Sequence, residues 1–144
     1  YTQGFRLGGP HPFIPPSACD LDGDGLIDGL GVALPDQIAS DELDSFEVGG
    51  KFAFADGRAT LSIAAYQIEW EGIPVAQTAD CGFGVTLNAG EAKSVGLEVE
   101  GQVLFSDTWT LNYGLSQVQA ELTSDAVGLG SSGDRLPGSP AKSR

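Results

Sequence analysis

Apolar and polar residues alternate along most of this chain, and helical periodicity does not dominate any stretch of it. From Phe46 to Phe54 the even positions hold Phe46, Val48, Gly50, Phe52 and Phe54, and the odd ones Glu47, Gly49, Lys51 and Ala53. One apolar face and one polar or small face is the period-two signature of a strand. Asp56-Gly57 follows, a dipeptide suited to a hairpin turn. Between Arg58 and Val75, Leu61, Ile63 and Ala65 share one parity, whereas Tyr66, Ile68 and Trp70 share the other. The apolar parity therefore flips near Ala64–Tyr66, which fits either a β-bulge or a strand leaving a bilayer. Val95, Leu97, Val99, Val103 and Phe105 then alternate with Ser94, Gly96, Glu98, Glu100 and Gln102. After a short Ser106-Asp107 turn, Trp109, Leu111, Tyr113 and Leu115 alternate with Thr110, Asn112, Gly114 and Ser116. Gln3, Phe5 and Leu7, set against Gly4, Arg6 and Gly8, resemble the end of a further strand.

The connections are unequal in a regular way. Asp56-Gly57 and Ser106-Asp107 are tight, while Gly8 to Asp44, about Ala76 to Thr86, and Ser124 to Pro140 are long. Short and long alternate, as they do in an antiparallel barrel with short turns on one rim and long loops on the other. The pattern predicts an all-β chain: about five antiparallel transmembrane β-barrel strands with long extracellular loops. Such strands need only about 9–11 residues to cross a bilayer, and only alternate side chains need be apolar. The mean hydropathy of -0.02 is compatible with that. Phe46, Phe54, Trp70, Phe105 and Trp109 near strand ends fit, as a set, interfacial aromatic girdles.

Charge and local motifs narrow the chemistry. Seven Lys and Arg against 20 Asp and Glu give a net charge of -13 over 144 residues. That argues against nucleic acid as a partner, since phosphate binding calls for clustered basic residues. His11 is the single histidine and lies between prolines, and the chain has no nucleophile motif, phosphate loop or Cys/His cluster, so an enzyme is not expected. Asp20-Leu21-Asp22-Gly23-Asp24-Gly25-Leu26-Ile27-Asp28 spells the first nine positions of an EF-hand-type calcium loop. Asp20, Asp22 and Asp24, the Leu26 carbonyl and Asp28 are the candidate ligands for calcium, the one cofactor in view. Gly31 stands where such a loop carries its bidentate Glu, so Asp36 or another loop would have to complete the shell. The plainer alternative is an acidic, glycine-rich surface loop. Cys19 and Cys81 both fall in long loops on one rim and are a disulfide candidate in an oxidising exterior, the alternative being two free thiols. Arg6, Glu47, Lys51, Glu98, Glu100 and Gln102 take the polar faces of their strands and are the candidate lumen-facing residues, as ligand or plug contacts or, more simply, as a solvated, ion-paired wall.

Several phrases resemble TonB-dependent outer-membrane receptors. Gly4-Phe5-Arg6-Leu7-Gly8-Gly9 is similar to their "GFRxGG" strand end, and Ser45-Phe46-Glu47-Val48-Gly49-Gly50-Lys51 to their "SYELGLK" strand. Ala65-Tyr66-Gln67-Ile68-Glu69-Trp70 resembles "aFYidw". The run from Asn88 through Ala89 to Glu100 resembles "NAGeAxSxGvElE", and Asp134-Arg135-Leu136-Pro137-Gly138-Ser139-Pro140 the "LPGxP" approach to the next strand. Five phrases in the family's order, outside the loop from about His11 to Gln37, make the likeness specific. It implies residues 1–144 to be a segment of a receptor β-barrel domain, with the plug domain and remaining strands absent. It implies a location in the bacterial outer membrane, lipid as a neighbour, and uptake of a scarce nutrient such as a ferric siderophore. The inner-membrane TonB complex, acting through the plug, would energise it, with a small nutrient or metal chelate as ligand. The rival reading is a secreted, adhesin-like calcium-binding β-domain, which would have to cover its apolar face with a second sheet.

Overall fold

Where the alternation is cleanest, the chain forms its longest strands. The computed structural model describes residues 1–139 apart from residue 89; Ala89 and Pro140, both in the phrases above, lie outside the described residues. In chain order the elements are β1 (Thr2–Arg6), β2 (Gly9–Pro10), one helical turn α1 (Pro16–Cys19), β3 (Gln37–Ile38), β4 (Asp41–Phe54), β5 (Ala59–Glu71), β6 (Pro74–Thr78), β7 (Gly84–Asn88), β8 (Glu91–Ser106) and β9 (Trp109–Leu122). A five-stranded antiparallel sheet in the order β1-β4-β5-β8-β9 dominates, with two small ladders, β2-β3 and β6-β7, beside it.

The register sorts side chains into two faces. Phe54, Ala59, Val103 and Leu111 lie on one cross-strand rung, and Gly50, Ile63, Val99 and Leu115 on another of the same face. Between them Lys51, Ser62, Glu100 and Gly114 form a rung of the opposite face. Two aromatic rings lie flat over glycines directly across the ladder, Tyr66 over Gly96 and Tyr113 over Gly101, where a Cβ would collide with the ring.

The parity flip in β5 has a definite cause. β5 pairs residue for residue with both β4 and β8 from Ala59 to Glu71, so it contains no bulge. The irregularity lies elsewhere, between Leu104 and Ser106. What changes along β5 is the covering of the sheet. Toward the tight turns the apolar side chains stand on one face. Toward the long loops that face carries Asp44, Glu69, Lys93 and Glu121, while Leu43, Trp70, Ala92 and Leu122 take over the opposite face. Trp70 thus lies on the other face from Phe46 and Phe54 and does not join an aromatic girdle with them.

Both turns differ in detail from the dipeptides that marked them. The first spans Ala55–Arg58, with positive φ at Ala55 (52°), Asp56 (53°) and Gly57 (86°). In the second, β8 continues through Ser106 and the turn is Asp107-Thr108. The long connection expected from about Ala76 to Thr86 folds as the β6-β7 hairpin, with Pro74 opposite Asn88 and Thr78 opposite Gly84.

Among the described residues the buried cores sit at the long-loop end. One cluster joins Ile73, Val75, Ala92, Leu122 and Ala126, with Trp70, Leu129 and Leu136 against it. A second joins Ile14, Cys19, Ile27, Ala79, Val85 and Leu87. The hairpin contributes to both, so it is the link between the main sheet and the loop that precedes β4. Residues past β9 fold back on the same end, where the Leu122 and Leu136 amides donate to the Asp134 and Ala120 carbonyls.

Candidate functional site

The polar face of the sheet carries a shallow trough. Gly49, Ser62 and Ala64 form its floor because their side chains are small, and Glu47, Lys51, Glu98 and Glu100 form its rim. Its volume is about 400 Å³. Arg6 and Gln102 have the same parity, so the register sets all six candidate wall residues on this one face. Gln102 Nε2 donates to Asn112 Oδ1 at 2.9 Å. The ion pairs among the described residues are elsewhere, Arg6–Asp41 and Lys93–Glu69. Three rim carboxylates and one ammonium are therefore left to solvent or to a partner, and the trough is net negative.

Where β1 meets β4, Arg6 lies directly opposite Asp41. Its Nε donates to Asp41 Oδ1 at 2.9 Å and its Nη2 to Oδ2 at 3.0 Å. Trp70 Nε1 adds a third hydrogen bond to Oδ2 at 2.8 Å from the next strand. Bidentate pairing satisfies a carboxylate that is only 7% exposed. The Arg6 guanidinium holds the Asp41 carboxyl below the usual carboxylate range, burial opposes it, and the Trp70 indole reinforces it. Sequence reading placed Arg6 on the wall but missed Asp41 and Trp70 as its partners. Only the pairing of β1 with β4 across the long loop brings them together.

Above this triad the loops form a cap. Cys19 and Cys81 are bonded, with their Cα atoms 5.2 Å apart across 62 residues of sequence. His11 Nε2 accepts the Thr86 amide at 3.0 Å, while its Nδ1 lies 2.9 Å from the Pro12 carbonyl. These bonds put the proton on Nδ1 and make His11 a structural tie between the first loop and β7. Asn88 holds the same two segments, accepting from the Ala39 amide and donating to the Ala39 and Gly72 carbonyls.

Beside Cys19, Asp20, Asp22 and Asp24 converge, their carboxylate oxygens within 4.8 Å of one another. Gly23 and Gly25, at φ 74° and 84°, supply the turn that permits this. Asp20 Oδ2 accepts the Gly25 amide and Asp24 Oδ1 the Leu26 amide, whereas Asp20 Oδ1 is buried with no hydrogen-bond partner. Asp28 stands apart from the three, its Oδ2 accepting the Leu21 amide at 2.9 Å. Asp80, which sequence reading did not single out, packs its carboxylate over Gly29.

A chain of long antiparallel strands, apolar on one face, acidic on the other and capped by loops at one end, matches the family described as TonB dependent receptor-like, beta-barrel, over residues 1–143. The chain belongs to that family. It is a family of outer-membrane transport receptors, and the chain is accordingly an outer-membrane β-barrel segment. Neither the curated proteins nor the solved structures searched gave a match. No helix among the described residues is long and apolar enough to cross a membrane, which says nothing of crossing by strands.

The triad generates a pH dependence. Because the folded-state pKa of Asp41 is depressed, its contribution is complete above the usual carboxylate range and is lost as pH falls through the depressed value. Melting temperatures of the full-length protein and of Asp41→Asn, measured between pH 2 and about 7, should differ most near neutrality and converge in acid.

Proposed function

We propose that this chain is part of the wall and mouth of a receptor that captures a scarce nutrient, such as a ferric siderophore, at the cell surface. The inner-membrane TonB complex would drive uptake through a plug folded inside the barrel. Residues 1–144 are then one segment of a larger barrel. Among the described residues no strand pairs with the outer edge of β1, nor with that of β9 below Ala120, and this supports it, because an open edge in a membrane leaves backbone groups without partners.

One observation carries the reading. The face formed by Phe54, Phe52, Val48, Leu61, Ile63, Leu97, Val99, Val103, Leu111 and Leu115 holds no charge, and among the described residues no second sheet covers it. From Phe46 to Phe54 it rises roughly 26 Å at ~3.3 Å per residue, enough to cross an apolar band about 25 Å tall with its flanking residues. A secreted domain would bury such a face. The opposite face, with Glu47, Lys51, Glu98, Glu100 and Gln102, then lines the lumen, and the cap faces the exterior.

The facing is open to direct test. Ile63→Arg sets a charge in the middle of the lipid face and should cost about 2–4 kcal/mol, whereas Ser62→Arg, one residue away, points into the lumen. Folding of the full-length receptor into lipid vesicles should suffer with the first and stay near wild type with the second. Equal losses would contradict the assignment.

Calcium binding by the first loop is the second part of the proposal. Three converging carboxylates and the orphan oxygen of Asp20 support it, and Asp28 and the Leu26 carbonyl would complete part of an oxygen shell. With Gly31 in place of the bidentate Glu, affinity should fall in the weak extracellular range, about 10⁻⁴–10⁻³ M. Calorimetric titration of the full-length receptor should give saturable heat at millimolar calcium, lost in the double variant Asp22→Ala/Asp24→Ala. Unchanged heat in that variant would leave only an acidic loop.

A further inference from the structure

β6 and β7 form a two-stranded ladder, so backbone groups along the free side of each strand need partners from elsewhere. For the Thr86 amide that partner is His11 Nε2, at 3.0 Å. Two residues on, the Asn88 side chain accepts the Ala39 amide at 2.8 Å and donates to the Ala39 carbonyl at 3.0 Å. His11 and Ala39 follow the two strands of the β2-β3 ladder, in which Gly9 pairs with Ile38 and Pro10 with Gln37. One lies beyond the Pro10–Gln37 rung and the other beyond the Gly9–Ile38 rung, so this short ladder is fastened to β7 at both ends. Further along the chain, the Cys19–Cys81 bond ties the same loop to the connection between β6 and β7. The two hydrogen-bonded fastenings differ in chemistry. The Asn88 amide does not titrate. His11 accepts only while Nε2 is bare and the proton sits on Nδ1, 2.9 Å from the Pro12 carbonyl. A second proton on the ring fills Nε2 and sets one N–H against another. Among the described residues β2, β3, β6 and β7 carry no titratable side chain. Asp20, Asp22, Asp24 and Asp28 accept amides within their own loop, and Asp80 packs over Gly29. Asp36 stands one residue beyond the Pro10–Gln37 rung, on the side of His11. Its carboxylate can accept from the charged ring but cannot restore the bond to Thr86.

We propose that His11 is an acid-sensitive latch, which in its neutral form closes the start of the first loop onto β7 and on protonation releases that end while Asn88 and the Cys19–Cys81 bond keep theirs. The latch requires the neutral ring, so it is complete at alkaline pH and is lost as pH falls through the range in which histidine changes charge, about pH 8 to 5. The Arg6–Asp41 pair stays closed over that range, because the Asp41 carboxyl is held below the usual carboxylate range. Mild acid therefore acts on the loops and leaves the wall intact. What is released is a short strap and not a frayed end. Pro10 and Pro12 flank His11 and fix their own φ, and the strap carries the exposed ring of Phe13. It pivots on the Asn88–Ala39 bonds, and the disulfide limits how far it can swing. In the receptor reading the strap lies on the extracellular side, where it meets the pH of the medium. The latch is a property of this chain's own loops and does not depend on which nutrient is carried.

The test is backbone hydrogen exchange in the full-length protein, with the disulfide intact, at about pH 8 and about pH 5 and with the intrinsic rate at each pH divided out. In the wild type, peptides covering β7 and the Gly9–Phe13 strap should lose protection several-fold in acid, while those covering β4, β5 and β8 hold theirs. His11→Gln offers a side-chain carbonyl that accepts but does not titrate, and its β7 protection should be the same at both pH values. His11→Phe has no acceptor and should show the low protection at both. Unchanged wild-type protection between the two pH values would overturn the proposal, because the bond to Thr86 would then not be what holds the strap. An equal loss in His11→Gln would overturn it as well, because another group would then be titrating. So would a loss shared by β4 and β5, because the whole protein and not the latch would be loosening.

Discussion

Register is the constraint on which the rest of this structure depends. Strand side chains alternate with period two, so a slip of one residue moves an entire strand's apolar set to the other face. In β8 such a slip would send Glu98 and Glu100 outward and Leu97 and Val99 inward. The ladders of β4, β5 and β8 hold one register over their shared length, and the rings of Tyr66 and Tyr113 over Gly96 and Gly101 interlock neighbouring strands. The single irregularity is confined to the end of the β8-β9 hairpin, beside its turn. A wall built this way can present one solvent to lipid and another to the lumen without an intervening core. That is why its largest exposed side chains are no defect and why, among the described residues, the buried cores gather at one end.

The cap solves a different problem. Loops outside a membrane can be long, but they must still satisfy their backbone polar groups and resist fraying. Here three kinds of tie converge on the β6-β7 hairpin: the Cys19–Cys81 bond, hydrogen bonds from His11 and Asn88, and the two apolar clusters. The hairpin in turn seats on the main sheet through Ala92 and Leu122. The first loop and the hairpin are therefore one folded unit at the long-loop end of the sheet, and the Arg6–Asp41–Trp70 triad stitches β1, β4 and β5 together beside it.

Much of this was legible in the sequence. The strong alternation in Phe46–Phe54 and Val95–Leu115 located the long strands and their faces, because one face meets a uniform apolar surrounding. The flip at Ala64–Tyr66 was visible but ambiguous. Only the unbroken pairing of β5 with both neighbours showed that its surroundings change and not its register. Asp56-Gly57 marked a turn but not its length, which depends on where Phe54 and Ala59 stop pairing. The hairpin of β6 and β7 was missed because Pro74–Thr78 and Gly84–Asn88 are short and become strands through tertiary packing around Val75, Val85 and Leu87. The acidic repeat showed three carboxylates that converge, but its spacing could not reveal that Asp28 is engaged by the Leu21 amide.

The central claim is that the uncharged face of the β4, β5, β8 and β9 wall meets lipid. A structure of the full-length protein in a lipid nanodisc tests it most directly. The account predicts these strands in a closed barrel, with acyl-chain density against Ile63, Val99 and Leu115 and the Glu98 and Glu100 side chains facing inward. Protein density from a second sheet packed on Ile63 and Val99 would contradict it.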